Sequence, residues 1–246
     1  LSVALLFGTL SIAQGTSVLD AITGANIQTQ RYSVVVLKDS SYKQLSDLKN
    51  ETVETVSSVD EENAQKAIEA MQKEESSIQT KDIDSYSKMA NDLYDENTKA
   101  ILVNESYYAI IEAEHEDFQN DTRVIWSFDI EEKIKDISKN VNVTKEPFIV
   151  YISGIDTSGP VSTVSRSDVN MIVTVNPTTK QILLTSIPRD YYVTLANKGQ
   201  KDKLTHSGLA GIDNTVETME NFLGIDINYY ARVNFTSLIK MVDALG

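Results

Sequence analysis

The residues best able to do chemistry lie between positions 148 and 190, at the joints of three apolar segments: FIVYISGID, RSDVNMIVTVNP and KQILLTSIPRD. Asp156 closes the first, Arg166 and Asp168 open the second, and Arg189 with Asp190 close the third. Carboxylates offer hard oxygen ligands to a divalent cation, and guanidiniums offer planar forks that match phosphate oxygens. Brought to one side of a sheet, these residues would hold a cation and a phosphate together. Taken alone, Asp156 is also an ordinary turn residue, and Arg166 with Asp168 an ordinary surface pair.

Elements must position them, and the segments read as strands. Stretches 148–155, 169–175 and 181–187 are rich in β-branched residues and bounded by Gly154, Asn176 and Pro177. Pro177, Thr178, Thr179 and Lys180 read as the hairpin turn between the last two. A long polar loop over 192–207 is expected next, then a helix from about Asp213 to Leu223 with Gly224 as its C-cap. A strand over 227–235 and a further helix from Thr236 complete the pattern. His206 reads as a satisfied loop histidine.

The chain ahead of this region alternates strands and helices. Strands are expected over 32–37, 52–56, 99–103 and 123–128, with helices over 42–49, 84–94 and 105–116 between them. A further helix is expected after Asp60, whose side chain can cap it. That alternation indicates a largely parallel sheet in a compact α/β domain. In order of elements, though not in motifs, it is similar to one lobe of a solute-binding protein. The polar run 135–145 reads as the boundary behind it.

Composition narrows the function. Of 246 residues, 41% are hydrophobic and 24% charged, as in a folded globular protein. The net charge of −14 is uneven. Residues 147–246 carry 8 Lys+Arg against 9 Asp+Glu, while residues 1–146 carry 14 against 27. Nucleic acid would be repelled by the acidic part and meets no basic stripe in the other, so it is excluded as a partner. With no cysteine, disulfides and thiolate metal sites are excluded too. The uncharged run LSVALLFGTLSIA at 1–13 is expected to be the last turns of a transmembrane helix, with a linker to residue 30.

Five motifs now stand in order: ISGIDTSG, SRSDVNMIVTVNP, LLTSIPRD, DKLTHSG and TVETMENFLGIDINYYARVNFTSLIKMVDALG. Together they resemble the LytR-CpsA-Psr family, in particular its capsule branch with an accessory domain ahead of the catalytic one. The resemblance covers about residues 147–246. It implies an α/β accessory domain over 31–140, followed by the first part of an α/β catalytic domain with a mixed central sheet. It implies a phosphotransferase that moves a capsular or other anionic glycopolymer from a polyprenyl pyrophosphate carrier to peptidoglycan with Mg²⁺. It further implies an integral membrane protein exposed outside the cell, with the membrane and the capsule-synthesis machinery as partners. Regulation through a protein partner and lipid pyrophosphate hydrolysis are the alternative functions.

Position by position, the resemblance puts Asp156 and Asp168 on the metal, Arg166, Arg189 and Lys203 on the pyrophosphate, and Arg189 with Asp190 at the reacting centre. Val169, Met171, Val173, Phe222 and Val233 are candidate walls of a tunnel for the polyprenyl chain. The family's later arginine-rich motifs would follow Gly246, so this chain is expected to hold half of a site.

Overall fold

A computed structural model of the chain describes residues 27–157 and 160–245. The chain divides into two compact units, Thr29–Glu131 and a second that contains everything from Glu132 on.

The first unit is built on a five-stranded sheet. Its strands are β1 (Ile27–Leu37), β2 (Thr52–Thr55), β3 (Gln79–Asp82), β4 (Ala100–Asn104) and β5 (Thr122–Lys133), in the order β3-β2-β4-β1-β5. Val34, Val36, Val53 and Leu102 form the sheet side of the core, and Ala64, Ala67 and Met71 of helix α1 (Glu61–Glu74) cover it. Asp60 caps α1 as its position suggested, accepting the Asn63 N–H at 3.3 Å. The sheet is less parallel than the alternation implied. β2 runs parallel to β3 and β4, but β1 is antiparallel to β4. Residues 27–30, read as linker, belong to β1, and polar Gln79–Asp82 forms β3 because ladder hydrogen bonds, not apolar side chains, hold this short strand. The helix expected over 105–116 is broken into a 3₁₀ turn at Glu105–Tyr107 and the short helix α3 (Tyr108–Glu112), which follows α2 (Tyr86–Tyr94). Helix α4 (Phe118–Asp121) leads into β5.

The second unit carries the mixed sheet that the resemblance implied. Strands β6 (Phe148–Ile155), β7 (Ser167–Asn176) and β8 (Gln181–Ile187) form an antiparallel meander. The β7–β8 turn is closed by Asn176, whose Oδ1 accepts the N–H groups of Thr178 and Thr179, both at 3.1 Å. The expected loop over 192–207 is partly regular. It holds the ribbon β9 (Tyr192–Thr194) and β10 (Lys201–Lys203), then a 3₁₀ helix at Leu204–Ala210. Helix α5 (Ile212–Leu223) ends at Gly224 in the left-handed region, φ 65°. Strand β11 (Tyr229–Val233) lies parallel to β6, giving the order β11-β6-β7-β8, and helix α6 (Phe235–Leu245) follows. Tyr151 and Ile172 of the sheet pack with Ile212, Val216 and Met219 of α5. Part of the polar stretch 135–145 also packs on this unit: Ile137 lies against its core and the Lys139 N–H donates to the Asn228 carbonyl at 2.9 Å.

The expectation of an integral membrane protein with its domains outside the cell is corrected here. Among the described residues no helix is long and apolar enough to cross a membrane. Even α1, at 14 residues, would span only ~21 Å of a ~30 Å hydrocarbon layer. The run 1–13 on which the expectation rested lies outside the described residues.

Candidate active site

The charged residues gather where β6 ends and β7 begins. Ile155 pairs with Ser167 while Gly154 pairs with Val169, so the register slips at this point and Asp168 is the extra residue of a β-bulge. A bulge bends its strand and re-aims the bulged side chain. The Asp168 side chain is 11% exposed, and it is turned toward two arginines. Its Oδ1 accepts from Arg189 Nη1 at 2.8 Å and from the Thr205 hydroxyl at 3.0 Å. Its Oδ2 stands 4.0 Å from Arg166 Nη2.

The chain of charges continues outward. Arg189 Nε lies 3.8 Å from Asp190 Oδ2, and Lys203 Nζ lies 3.4 Å from Asp190 Oδ1. Arg166, Asp168, Arg189, Asp190 and Lys203 thus form one connected group. Asp156 follows β6 at the same sheet end, exposed, and among the described residues it makes no ion pair. Arg189 is half exposed, presented directly after Pro188, which cannot extend the β8 ladder. His206 stays outside the group, its Nδ1 2.9 Å from Asp202.

Two further residues hold this arrangement and were not singled out in the sequence. Thr205 bonds Asp168 through its side chain, and its N–H donates to the Arg189 carbonyl at 2.9 Å, tying the two halves of the site together. Gly208 lets the 3₁₀ helix approach the 165–167 backbone. A Cβ there would lie 2.5 Å from the Ser165 carbonyl oxygen and 2.7 Å from the Ser167 nitrogen. Both stand in DKLTHSG, so their signal was in a quoted motif, but contact with Asp168 depends on tertiary packing.

Beneath the bulge the inner face of the sheet is unusually polar. Tyr151 donates to Asn170 Oδ1 at 2.5 Å and sits 2.9 Å from Ser167 Oγ, and Ser153 Oγ lies 2.7 Å from the same Ser167 hydroxyl. Burial pushes the Tyr151 phenol up to about 12, so it stays neutral and holds the network as a donor.

The opposite face is apolar. Val169, Met171 and Val173 of β7 pair with Gly154, Ile152 and Val150 of β6, and Gly154 also pairs with Val233, so these four candidate tunnel residues share one face. Val169 is 50% exposed, and on β8 Ile182 is 68% exposed. Phe222 is not brought to them. It lies on α5, which covers the inner face, and its ring packs edge-on against Tyr191 with centroids 5.6 Å apart.

Asp168 also decides whether these residues suit a magnesium ion. Oδ2 is buried and has no hydrogen-bond partner, an arrangement that a protein pays for unless something positive completes it. Among the described residues no three His, Asp or Glu side chains cluster tightly enough to cage a metal. Magnesium does not require a cage: one or two carboxylates suffice when phosphate oxygens and water fill the rest. The residues fit.

Comparison with known proteins agrees with the motif order. The model of the LytR_cpsA_psr family matches residues 103–246. That of DNA polymerase processivity factor matches residues 1–103, less than half of the chain. A polyisoprenyl-teichoic acid–peptidoglycan teichoic acid transferase, TagU of Enterococcus faecalis, is 40% identical over 123 residues, 49% of this chain and 40% of its own length. TagU of Bacillus subtilis is 39% identical over 117 residues, 47% and 38% of the two. The chain therefore spans about 40% of the length of these curated relatives. Among solved structures, YwtF (TagT) with bound octaprenyl pyrophosphate lipid is 38% identical over 39% of this chain and 38% of that chain, TM-score 0.35. Bacillus subtilis TagT is 35% identical over 44% and 41%, TM-score 0.37. At those scores the likeness is one of sequence. With a family model matched over more than half of its residues, the chain belongs to the LytR_cpsA_psr family.

Proposed function

We propose that this protein is a phosphotransferase that moves an anionic glycopolymer from a polyprenyl pyrophosphate carrier to peptidoglycan, and that the β6–β7 end of the sheet binds the pyrophosphate. One observation carries the reading: a carboxylate set between two guanidiniums, with its second oxygen buried and without a hydrogen-bond partner. The names of the teichoic acid transferases that match this chain support the same chemistry. Capsular polysaccharide and teichoic acid are both anionic polymers that the reaction could carry.

In the proposed reaction an acceptor hydroxyl oxygen bonds the phosphorus that carries the polymer. The P–O bond to the polyprenyl phosphate breaks, and the hydroxyl proton passes to water. Arg189 and Arg166 bind the phosphate oxygens, and Arg189 steadies the charge that grows on the leaving phosphate. Asp190 holds Lys203 and Arg189 in place, and Lys203 adds a point charge. Magnesium, held by Asp168 and Asp156, would neutralise part of the diphosphate charge. The exposed face of Val169, Met171, Val173 and Val233 would receive the polyprenyl chain.

The test is product analysis with the full-length protein and a polyprenyl-pyrophosphate-linked polymer, with and without peptidoglycan. The expected result is polymer covalently joined to peptidoglycan and release of polyprenyl monophosphate that depends on the acceptor. Equal release without acceptor would make the protein a hydrolase, and no release in either case would remove the reading.

A further inference from the structure

Arg232 lies inside β11, and its register with Ser153 puts it on the inner face of the sheet beside Tyr151 and Ser153. It is 7% exposed. Among the described residues no carboxylate pairs with it, and both Nε and Nη1 are buried without a hydrogen-bond partner. Burial pushes its pKa down to about 10, partly offset by the phenols of Tyr230 and Tyr151, so it is still a cation at neutral pH. A buried ion without a counter-charge costs several kcal/mol. Water could fill the hydrogen bonds but not the charge, so the missing partner is an anion.

The location says which anion. β11 and β6 are parallel, and β6 runs directly to Asp156. Ser153, the neighbour of Arg232, is joined through Ser167 Oγ to the residue that precedes Asp168. In the order β11-β6-β7-β8, β6 alone separates the strand of Arg232 from β7, which bears Asp168, and Arg232 shares a face with the Ser153–Ser167 contact. We propose that Arg232 is a further ligand of the phosphate site, its Nε–H and Nη1–H groups donating to oxygens of the diphosphate class. This rests on the pyrophosphate-binding reading above. No acidic side chain of the polar network competes for the guanidinium, since Tyr151, Ser153, Ser167 and Asn170 are all neutral.

The experiment measures binding of inorganic pyrophosphate and of geranyl pyrophosphate to the full-length protein by calorimetry, with thermal unfolding alongside. Arg232→Met is expected to weaken both ligands about tenfold or more, because charge-assisted hydrogen bonds are lost. Its melting temperature should hold or rise, since an unpaired buried charge has gone. Affinities within about twofold of wild type, with or without a fall in melting temperature, would overturn the proposal and point to a protein carboxylate as the partner. Loss for geranyl pyrophosphate alone would also overturn it, because the contact would then be to the hydrocarbon. If Arg232→Met does not fold, Arg232→Lys decides: weakened binding of both ligands supports the guanidinium contact, and wild-type affinity overturns it. Arg189→Ala separates the two levels. If it binds pyrophosphate as wild type does, the site reading falls and this inference with it; if it is weakened while Arg232→Met is not, only the assignment of Arg232 falls.

Discussion

At the scale of single residues, the site turns on how Asp168 divides its two oxygens. Oδ1 is committed to Arg189 and Thr205, whereas Oδ2 is buried without a hydrogen bond, 4.0 Å from Arg166 Nη2. If Oδ2 serves a magnesium ion that also touches pyrophosphate, the two ligands should bind with positive linkage. Pyrophosphate affinity of the wild-type protein is then expected to rise with magnesium concentration, and Asp168→Asn should abolish that dependence; calorimetric titrations at several magnesium concentrations check it, and a variant that keeps the dependence would exclude Asp168 as a ligand. Arg166, Asp168, Arg189 and Asp190 were legible in the sequence because charges that interrupt apolar strands must lie at strand ends. The bulge that turns Asp168 was not, since register depends on a partner strand. Arg232 was overlooked because it lies within a strand read as core, where a lone arginine among apolar residues was itself the signal.

Elements bring these side chains together through close approach. The 3₁₀ helix at Leu204–Ala210 presses on the 165–167 backbone at Gly208, where a methyl group has no room. Gly208→Ala is expected to destabilise the protein by about 1–3 kcal/mol through overpacking. It should also weaken pyrophosphate binding by shifting Arg166 and Asp168. Chemical denaturation and the same calorimetry check both, and a variant of wild-type stability would mean that the helix can retreat without cost. Asp60→Ala provides the contrast, since Asp60 caps α1 in the other unit. About 1 kcal/mol of stability should be lost there while pyrophosphate affinity is unchanged. Strands β6, β7 and β8 and the αL end of α5 were legible from periodicity and Gly224. The β9–β10 ribbon was not, because its three-residue strands, YVT and KDK, are too short to show a period.

For the whole molecule, the two units keep separate cores, each with its own sheet. The unit Thr29–Glu131 closes a core around Val34, Val53, Met71 and Leu102 without help from the residues that follow. Expressed alone, it is expected to unfold in one cooperative thermal transition, and a broad transition without a folded baseline would show that it depends on the rest of the chain. The mixed sheet of the second unit agreed with what the family resemblance implied, whereas the first unit's mixed pairing did not follow from its strand and helix alternation, which leaves direction open. Whether Arg189 stabilises charge on a transferring phosphoryl group is decided by polymer transfer to peptidoglycan with full-length wild type and Arg189→Ala, with thermal unfolding measured side by side. Arg189→Ala is expected to lose about a hundredfold or more in transfer rate. Thermal unfolding should stay cooperative with a lowered melting temperature, because Arg189 is half exposed but its partner Asp168 is largely buried and keeps the Thr205 hydroxyl. Transfer at near the wild-type rate, or a lost fold that alone explains the lost activity, would contradict this role for Arg189.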